Sequence, residues 1–315
     1  MKRFEQAHAQ AIEKFIKALV LESPKNRLEH LDNSLVYEEP LIGFADANDP
    51  LIARFKEVVG SFHLSPQELW RQTFPGEVPS NLSIIAWVLP FAKTIRDSNR
   101  RQRHKPSPHW GHARLYGELL NNQLRSELVS FLIERGFQAV ATAQSQTFKV
   151  FWDEPDGPIS NWSERHYCLA AGLGTFGLNR GLITKKGQAM RCGSVLTDLK
   201  LPATEREFRS HTAYCPYLEV GSCGACIKRC PAGCITTEGK DNAKCFIYLS
   251  KNLDHLTSKY FPEEALRDPQ GEVCGRLYFC GLCHTGVPCE AGIPGEDCTH
   301  GKRGWYRSET GPSEH

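Results

Sequence analysis

A chain of 315 residues with a net charge near +2 and 23% charged residues can bury a large core, in one large domain or two unequal ones, and has no overall charge bias toward nucleic acid. Its longest apolar run, Ile84 to Ala92, contains Pro90 and is far too short to cross a bilayer, and Glu5, Glu13, Lys14 and Lys17 occupy the stretch where a secretion signal needs uncharged residues. The expected setting is therefore cytoplasmic, and thirteen cysteines there argue for metal binding or redox chemistry rather than a disulfide framework.

Phe4, Ala11, Ile12, Phe15, Ile16, Leu19 and Val20 recur at helical spacing and Pro24 closes the segment, so residues 3 to 22 read as an amphipathic packing helix. "NLSIIAWVLPFA" (81 to 92), rich in branched and aromatic side chains, reads as a buried strand. "ARLYGELLNNQLRSELVSFLIERGF" (113 to 137) has helical periodicity and ends at Gly136. "QAVATA" after it, "TFKVFW" (147 to 152) and "GSVLTDLKL" (193 to 201) read as further strands. Helices mixed with strands over about 200 residues predict an α+β or α/β domain. The polar "PATEREFRSHTAY" reads as a linker. The expected organisation is an α+β domain over 1–205, a cysteine-rich module over 206–300 and a frayed tail over 301–315.

Cys168 and Cys192 stand apart, and the remaining cysteines fall between Cys215 and Cys298. "SCGACIKRCPAGCI" (222 to 235) keeps Cys223, Cys226 and Cys230-Pro231 of the two-cluster ferredoxin run C-x2-C-x2-C-x3-C-P, with Val220 where the first thiolate belongs. A second group holds Cys280, Cys283 and Cys289, with Cys245 and Cys274 between the two. In two-cluster ferredoxins the last cysteine of each run ligates the other cluster. Cross-ligation predicts one site from Cys223, Cys226, Cys289 and one more thiolate, and a second from Cys230, Cys245, Cys280 and Cys283. Cys215, eight residues before Cys223, completes the first if "PYLEVGS" loops over the cluster. Zinc is the chemical rival, because paired C-x2-C motifs also suit a tetrahedral ion. The Cys230-Pro231 step and the surplus of thiolates favour two 4Fe-4S clusters. Cys168, Cys192, Cys234 and Cys298 have no assigned role and read as small buried hydrophobes.

"GLGTFG" (172 to 177) satisfies G-x-G-x-x-G, with Asp198 near the place of a ribose-binding acid, but the charged, helical "WSERHYCLAA" precedes it where a dinucleotide fold needs a buried strand. The longer stretch "AAGLGTFGLNRGLITKKGQAMRCGSVLTDLKL" (170 to 201), followed by the cysteine module, resembles the cobalamin-dependent epoxyqueuosine reductases and the related reductive dehalogenases. The resemblance spans about residues 80 to 295 and is strongest over 160 to 290. It implies an α+β fold with a nitroreductase-like corrinoid-binding domain followed by a bacterial two-cluster ferredoxin-like module. It also implies low-potential electrons passing through two 4Fe-4S clusters to a cobalamin that reduces a small electrophilic group.

By the same resemblance, Gly172, Gly174, Gly177 and Gly193 let backbone approach a flat corrinoid, although tight turns alone also explain such glycines. Glu164 falls at the glutamate of the family's acid segment, Asp153 or Asp156 is a candidate for its aspartate and Tyr167 for the tyrosine that dehalogenases use, although a solvated loop carboxylate or a packing aromatic also explains each. The segment "DEPDGPISNWSERH" is longer than the family's. An acid near cobalt needs a pKa raised by burial to hold its proton at neutral pH. The basic run "NRRQRHKPSPHWGHAR" (99 to 114) offers Arg100, Arg101, Arg103, Lys105 and Arg114 to tRNA or corrinoid phosphates, with Trp110 as a stacking platform. A low-potential donor such as ferredoxin or flavodoxin and tRNA are the expected partners, and no membrane. The alternative is an electron-transfer or activator protein that reduces a partner without a corrinoid of its own.

Overall fold

The computed structural model describes residues 2–29, 31–152, 157–260 and 280–295, with the side chains of Lys2 and 252–260 set aside. Asp153, Asp156, Cys274, Cys298 and the tail over 301–315 lie outside the described residues. The chain forms two compact units and passes between them repeatedly. The first comprises residues 1–95, 108–173 and 190–208; the second comprises 96–107, 174–189 and the described residues from 209 onward.

The first unit is built on a four-stranded antiparallel sheet in the order Leu41–Asp46, Ser83–Pro90, Met190–Thr197, Ala139–Val140. Ser83–Pro90 is buried at every position, which explains why "SIIAWVLP" shows no polar alternation: both of its faces are covered. The register sets Trp87 opposite Gly193 and Val88 opposite Cys192. A Cβ on Gly193 would stand 2.4 Å from the Trp87 ring, so only glycine admits the indole there. The indole Nε1 in turn donates to Asn121 at 2.8 Å, satisfying a buried donor.

Asn121 lies on the helix Pro108–Ile133, which begins five residues before the sequence pattern suggests and buries Leu120, Leu124, Leu128 and Leu132. Its end is set by Gly136 at φ +84°, where Phe137 N–H returns to Leu132 O and Gly136 N–H to Ile133 O, a Schellman closure. The helix Lys2–Glu22 packs on it, and the short helix Glu164–Ala170 lies against the sheet. The expected strand at 147 to 152 is reduced to Val150–Phe151 paired with Ile159–Ser160. The polar linker is tied down where it leaves the sheet: Thr204 Oγ1 accepts from Phe44 N–H at 2.9 Å, and Arg206 pairs with Asp49 at 2.5 Å.

The second unit contains the hairpin Gly174–Phe176/Leu182–Thr184, the helices Pro216–Val220, Ala225–Arg229 and Asn242–Tyr260, and a small hairpin, Ile235–Thr236/Gly239–Lys240. Its core is Leu178, Ile183, Cys215, Cys234 and Ile235, with Cys226, Cys230, Cys245, Cys283 and Cys289 packed against it. No helix among the described residues is long and apolar enough to cross a membrane.

Candidate metal centre

The backbone around the first cysteine group is bent by residues that accept left-handed geometry. Gly221 (φ +70°), Cys223 (φ +87°) and Gly224 (φ +70°) turn the chain between the helices Pro216–Val220 and Ala225–Arg229. Cys215 caps the first of these helices, Cys226 lies within the second and Cys230 caps its end. A non-glycine residue at positive φ is uncommon, and here it carries one of the expected ligands.

Several of the eight predicted ligands have other predicted ligands as their electrostatic neighbours. Cys289 feels Cys226, Cys215 and Cys223. Cys280 feels Cys283, Cys245 and Cys230, and Cys283 feels Cys245 and Cys230. The neighbours of Cys280, Cys283 and Cys289 follow the cross-ligation grouping, whereas Cys226 feels Cys283 of the other group ahead of Cys215 and Cys223. Burial pushes the Cys226 and Cys280 thiols up to about 12 and Cys283 to about 11. Thiols held protonated by desolvation need a compensating cation to exist as thiolates, and metal loading would then release protons.

Among the described residues, no three Cys, His, Asp or Glu side chains stand as a ready site for a single metal ion. A tetrahedral zinc sits about 2.3 Å from each sulfur, whereas a cubane is larger and spreads its four thiolates more widely. The second unit gathers the eight predicted thiol ligands, the number that two four-thiolate centres would need.

Cys234, which sequence reasoning left without a role, belongs with the second quartet. Its Sγ lies 3.2 Å from Cys230 Sγ, it also hydrogen-bonds Cys245, and both neighbours have lowered thiol pKa values for that reason first. The glycine-rich segment supplies Leu178 and Ile183 to the sulfur-lined core. Gly174 and Gly177 are required by its own hairpin: a Cβ on Gly174 would stand 2.2 Å from Ile183 O, and one on Gly177 would crowd Ile183 and Asn179. In the first unit Gly172, at φ +73°, would meet Glu205 O at 2.9 Å, and Gly193 meets Trp87. At all four expected corrinoid glycines the space a Cβ would take is filled by the chain itself.

The basic run is partly spent inside the second unit. Arg100 donates from Nε (3.1 Å) and Nη2 (2.6 Å) to Glu290, which has no exposure, accepts Gly286 N–H and lies next to Cys289. Arg101, Arg103, His104 and Lys105 remain exposed. Trp110 is buried in the first unit rather than offered for stacking.

The candidate acids also lie in the first unit. Glu164 Oε1 stands 3.4 Å from Arg125, which pairs with Glu118 at 2.8 Å; Glu118 also pairs with Arg191. Burial raises the Glu164 pKa more than Arg125 lowers it. Arg114, close to this network, is brought down to about 9, mainly by burial. The Tyr167 phenol donates to Leu64 O at 3.0 Å and its ring stacks on Trp162, which ties it into the core. Charged residues set in the apolar face of the 113 to 137 pattern, Glu118 and Arg125, were the available sign of this cluster. Cys168 and Cys192 meet beside it, sharing a hydrogen bond.

No family model matches the chain. Over 128 residues it is 34% identical to an epoxyqueuosine reductase of Listeria monocytogenes, covering 39% of this chain and 28% of that protein. Over 127 residues it is 31% identical to an epoxyqueuosine reductase of Leadbetterella byssophila, covering 40% of this chain and 36% of that protein. The matched stretch is thus well under half the length of either relative. Among solved structures the chain is similar to an epoxyqueuosine reductase crystallised with an epoxyqueuosine-modified tRNA-Tyr stem loop. The TM-score is 0.51, with 18% identity over 92% of this chain and 67% of that one, a likeness of fold. The mixed α/β architecture and the local sequence therefore point to the same group of proteins.

Proposed function

We propose that the chain is an iron–sulfur oxidoreductase of the epoxyqueuosine-reductase kind, acting on a small electrophilic group. Carrying this reading is the gathering of the eight predicted cysteine ligands within one compact unit, in a chain that shares local sequence with those reductases. Bound 4Fe-4S clusters supply low-potential electrons one at a time. Cys215, Cys223, Cys226 and Cys289 would hold one, and Cys230, Cys245, Cys280 and Cys283 the other. Glu164 is the described acid best suited to keep a proton at neutral pH, because its burial outweighs the pull of Arg125. A cobalamin would enter through the resemblance alone, since the packing beside Gly172, Gly174, Gly177 and Gly193 is already accounted for by contacts within the chain.

A second reading, an electron-transfer or activator protein without its own corrinoid, is favoured by that packing at the glycines. Anaerobic reconstitution with iron, sulfide and hydroxocobalamin separates the two. The reductase reading expects about eight irons per chain, retained cobalt, and conversion of epoxyqueuosine-containing tRNA with reduced ferredoxin or flavodoxin as donor. Clusters without cobalt or turnover would select the carrier, and absence of iron and sulfide would overturn both. If tRNA is bound, replacing Arg101, Arg103 and Lys105 by Ala should flatten the salt dependence of binding by a slope of about 2 to 3. An unchanged slope would remove this run from the interface.

A further inference from the structure

Gln188 is 1% exposed and its side-chain amide touches both cysteine sets. Its Nε2 donates to Cys289 Sγ at 2.9 Å and to Cys283 O at 3.3 Å. The direction of this amide is fixed by groups whose polarity is not in question. Asn179 Oδ1 accepts Gly181 N–H at 3.0 Å and Asn179 Nδ2 donates to Cys283 O at 2.8 Å, so the NH2 of Asn179 also faces Gln188. Gln188 must then present its oxygen to Asn179, at 3.0 Å, and its NH2 to the sulfur. The main chain holds the same pair together: Gln188 N–H donates to Cys289 O at 2.9 Å, and Ala189 N–H to Glu290 O at 3.3 Å. Gly181 and Gly187 permit this closeness, since a Cβ would stand 2.4 Å from Gln188 Oε1 and 2.2 Å from Glu290 O respectively.

We infer that Gln188 is a positioning residue that sets the reduction potential of the centre ligated by Cys289, through an N–H···S hydrogen bond locked by Asn179. The inference rests on the two-cluster reading above. When one electron enters a cluster, no bond forms or breaks and negative charge accumulates on its sulfurs. A donor aimed at a ligand sulfur therefore stabilises the reduced form more than the oxidised form and raises the potential. Hydrogen bonds to charged groups are among the stronger ones. Losing the donor is expected to weaken reduction by up to about tenfold, or up to about 59 mV for one electron.

The experiment uses the full chain, reconstituted anaerobically with iron and sulfide, in wild-type and Gln188→Met forms. Methionine keeps the length of the side chain and lacks the donor. Iron and sulfide are counted first, and each centre is then titrated by EPR-monitored potentiometry. The expected result is two clusters in both proteins, with one centre shifted to lower potential by up to a tenfold equivalent and the other unmoved. Two clusters with both potentials unchanged, or shifted equally, would overturn the role of Gln188 while leaving the cluster reading intact. No iron or sulfide in the wild type would overturn both. Wild-type protein carrying 15N in glutamine side chains removes dependence on the variant's folding: pulsed EPR of the reduced protein should show a 15N coupling to one centre, and its absence would overturn the inference.

Discussion

In the sheet unit the strand Ser83–Pro90 is enclosed on both faces, and Trp70, Trp87, Trp162, Ile84 and Leu124 are almost wholly withdrawn from water. In the cysteine unit one buried cluster consists of Leu178, Ile183, Ile235 and two cysteines, ringed by further sulfurs. The first can be held by apolar burial, at about 1.5–3 kcal/mol for each large side chain. The second places thiols where aliphatic side chains would normally sit, so its stability is coupled to what those thiols bind. The difference separates two sources of stability within one chain.

With the proposed clusters in place, the largest effect should come from withholding or chelating iron. For structural metal sites the coupled folding energy is on the order of ten kcal/mol, which exceeds what the three aliphatic side chains of the sulfur-ringed cluster supply at about 1.5–3 kcal/mol each. Hydrogen exchange on metal-free protein is expected to show lost protection over 214–251 and 280–290, with the Ser83–Pro90 and Met190–Thr197 amides still protected. Equal protection of both units without metal would break the comparison.

The two units were also unequally legible in the sequence. The buried strand at 81 to 92 and the helix ending at Gly136 follow from apolar runs and a positive-φ glycine, both local signals. Leu41–Asp46 escaped notice because it is a short edge strand with Gly43 inside it, defined by its pairing to Ser83–Pro90 rather than by composition. The cysteine spacing suggests two quartets, yet gives no sign that residues 96–107 and 174–189 belong to the same unit. That membership rests on contacts such as Asn179 to Cys283, 104 residues apart, and on the burial of Glu290 against Arg100, which a reading of charge alone assigned to solvent or phosphate. Cys234 was set aside for a related reason: its partners Cys230 and Cys245 are fixed by a turn and a helix face together, and spacing does not reveal that.

A smaller effect isolates the sheet unit by pH. His63 is buried beside Trp162 and Phe55, and its Nε2 accepts Ser163 N–H at 3.0 Å, so the folded state holds the neutral ring. Burial, with Lys56 second, lowers its pKa from 6.5 to about 4. Between those values the unfolded chain binds the proton and the folded one does not, so stability falls as pH is lowered through this window. The loss amounts to at most about 3 kcal/mol by pH 4. Denaturant unfolding followed by tryptophan fluorescence at pH 7 and pH 4.5 should show this drop, reduced in His63→Gln. An identical drop in the variant would assign it to other groups.

The smallest expected effect decides what Gly193 is for. If the glycine exists to admit the Trp87 ring, Gly193→Ala places a methyl group 2.4 Å from an indole that has no exposure and is anchored by its hydrogen bond to Asn121. Neither side can yield cheaply: the indole is held at its Nε1, and Gly193 is fixed in register opposite Trp87 itself. Such overpacking costs about 1–3 kcal/mol, and the loss should appear in protein without corrinoid, as a lower denaturation midpoint of the sheet unit. If the glycine instead serves a flat ligand, the ligand-free midpoint should be unchanged and only retention of cobalt after hydroxocobalamin loading should suffer. The two outcomes are exclusive in the ligand-free protein, because steric conflict with Trp87 acts whether or not anything is bound. That makes a stability measurement, rather than an activity, the sharper test of a position where family resemblance and packing give different reasons for the same residue.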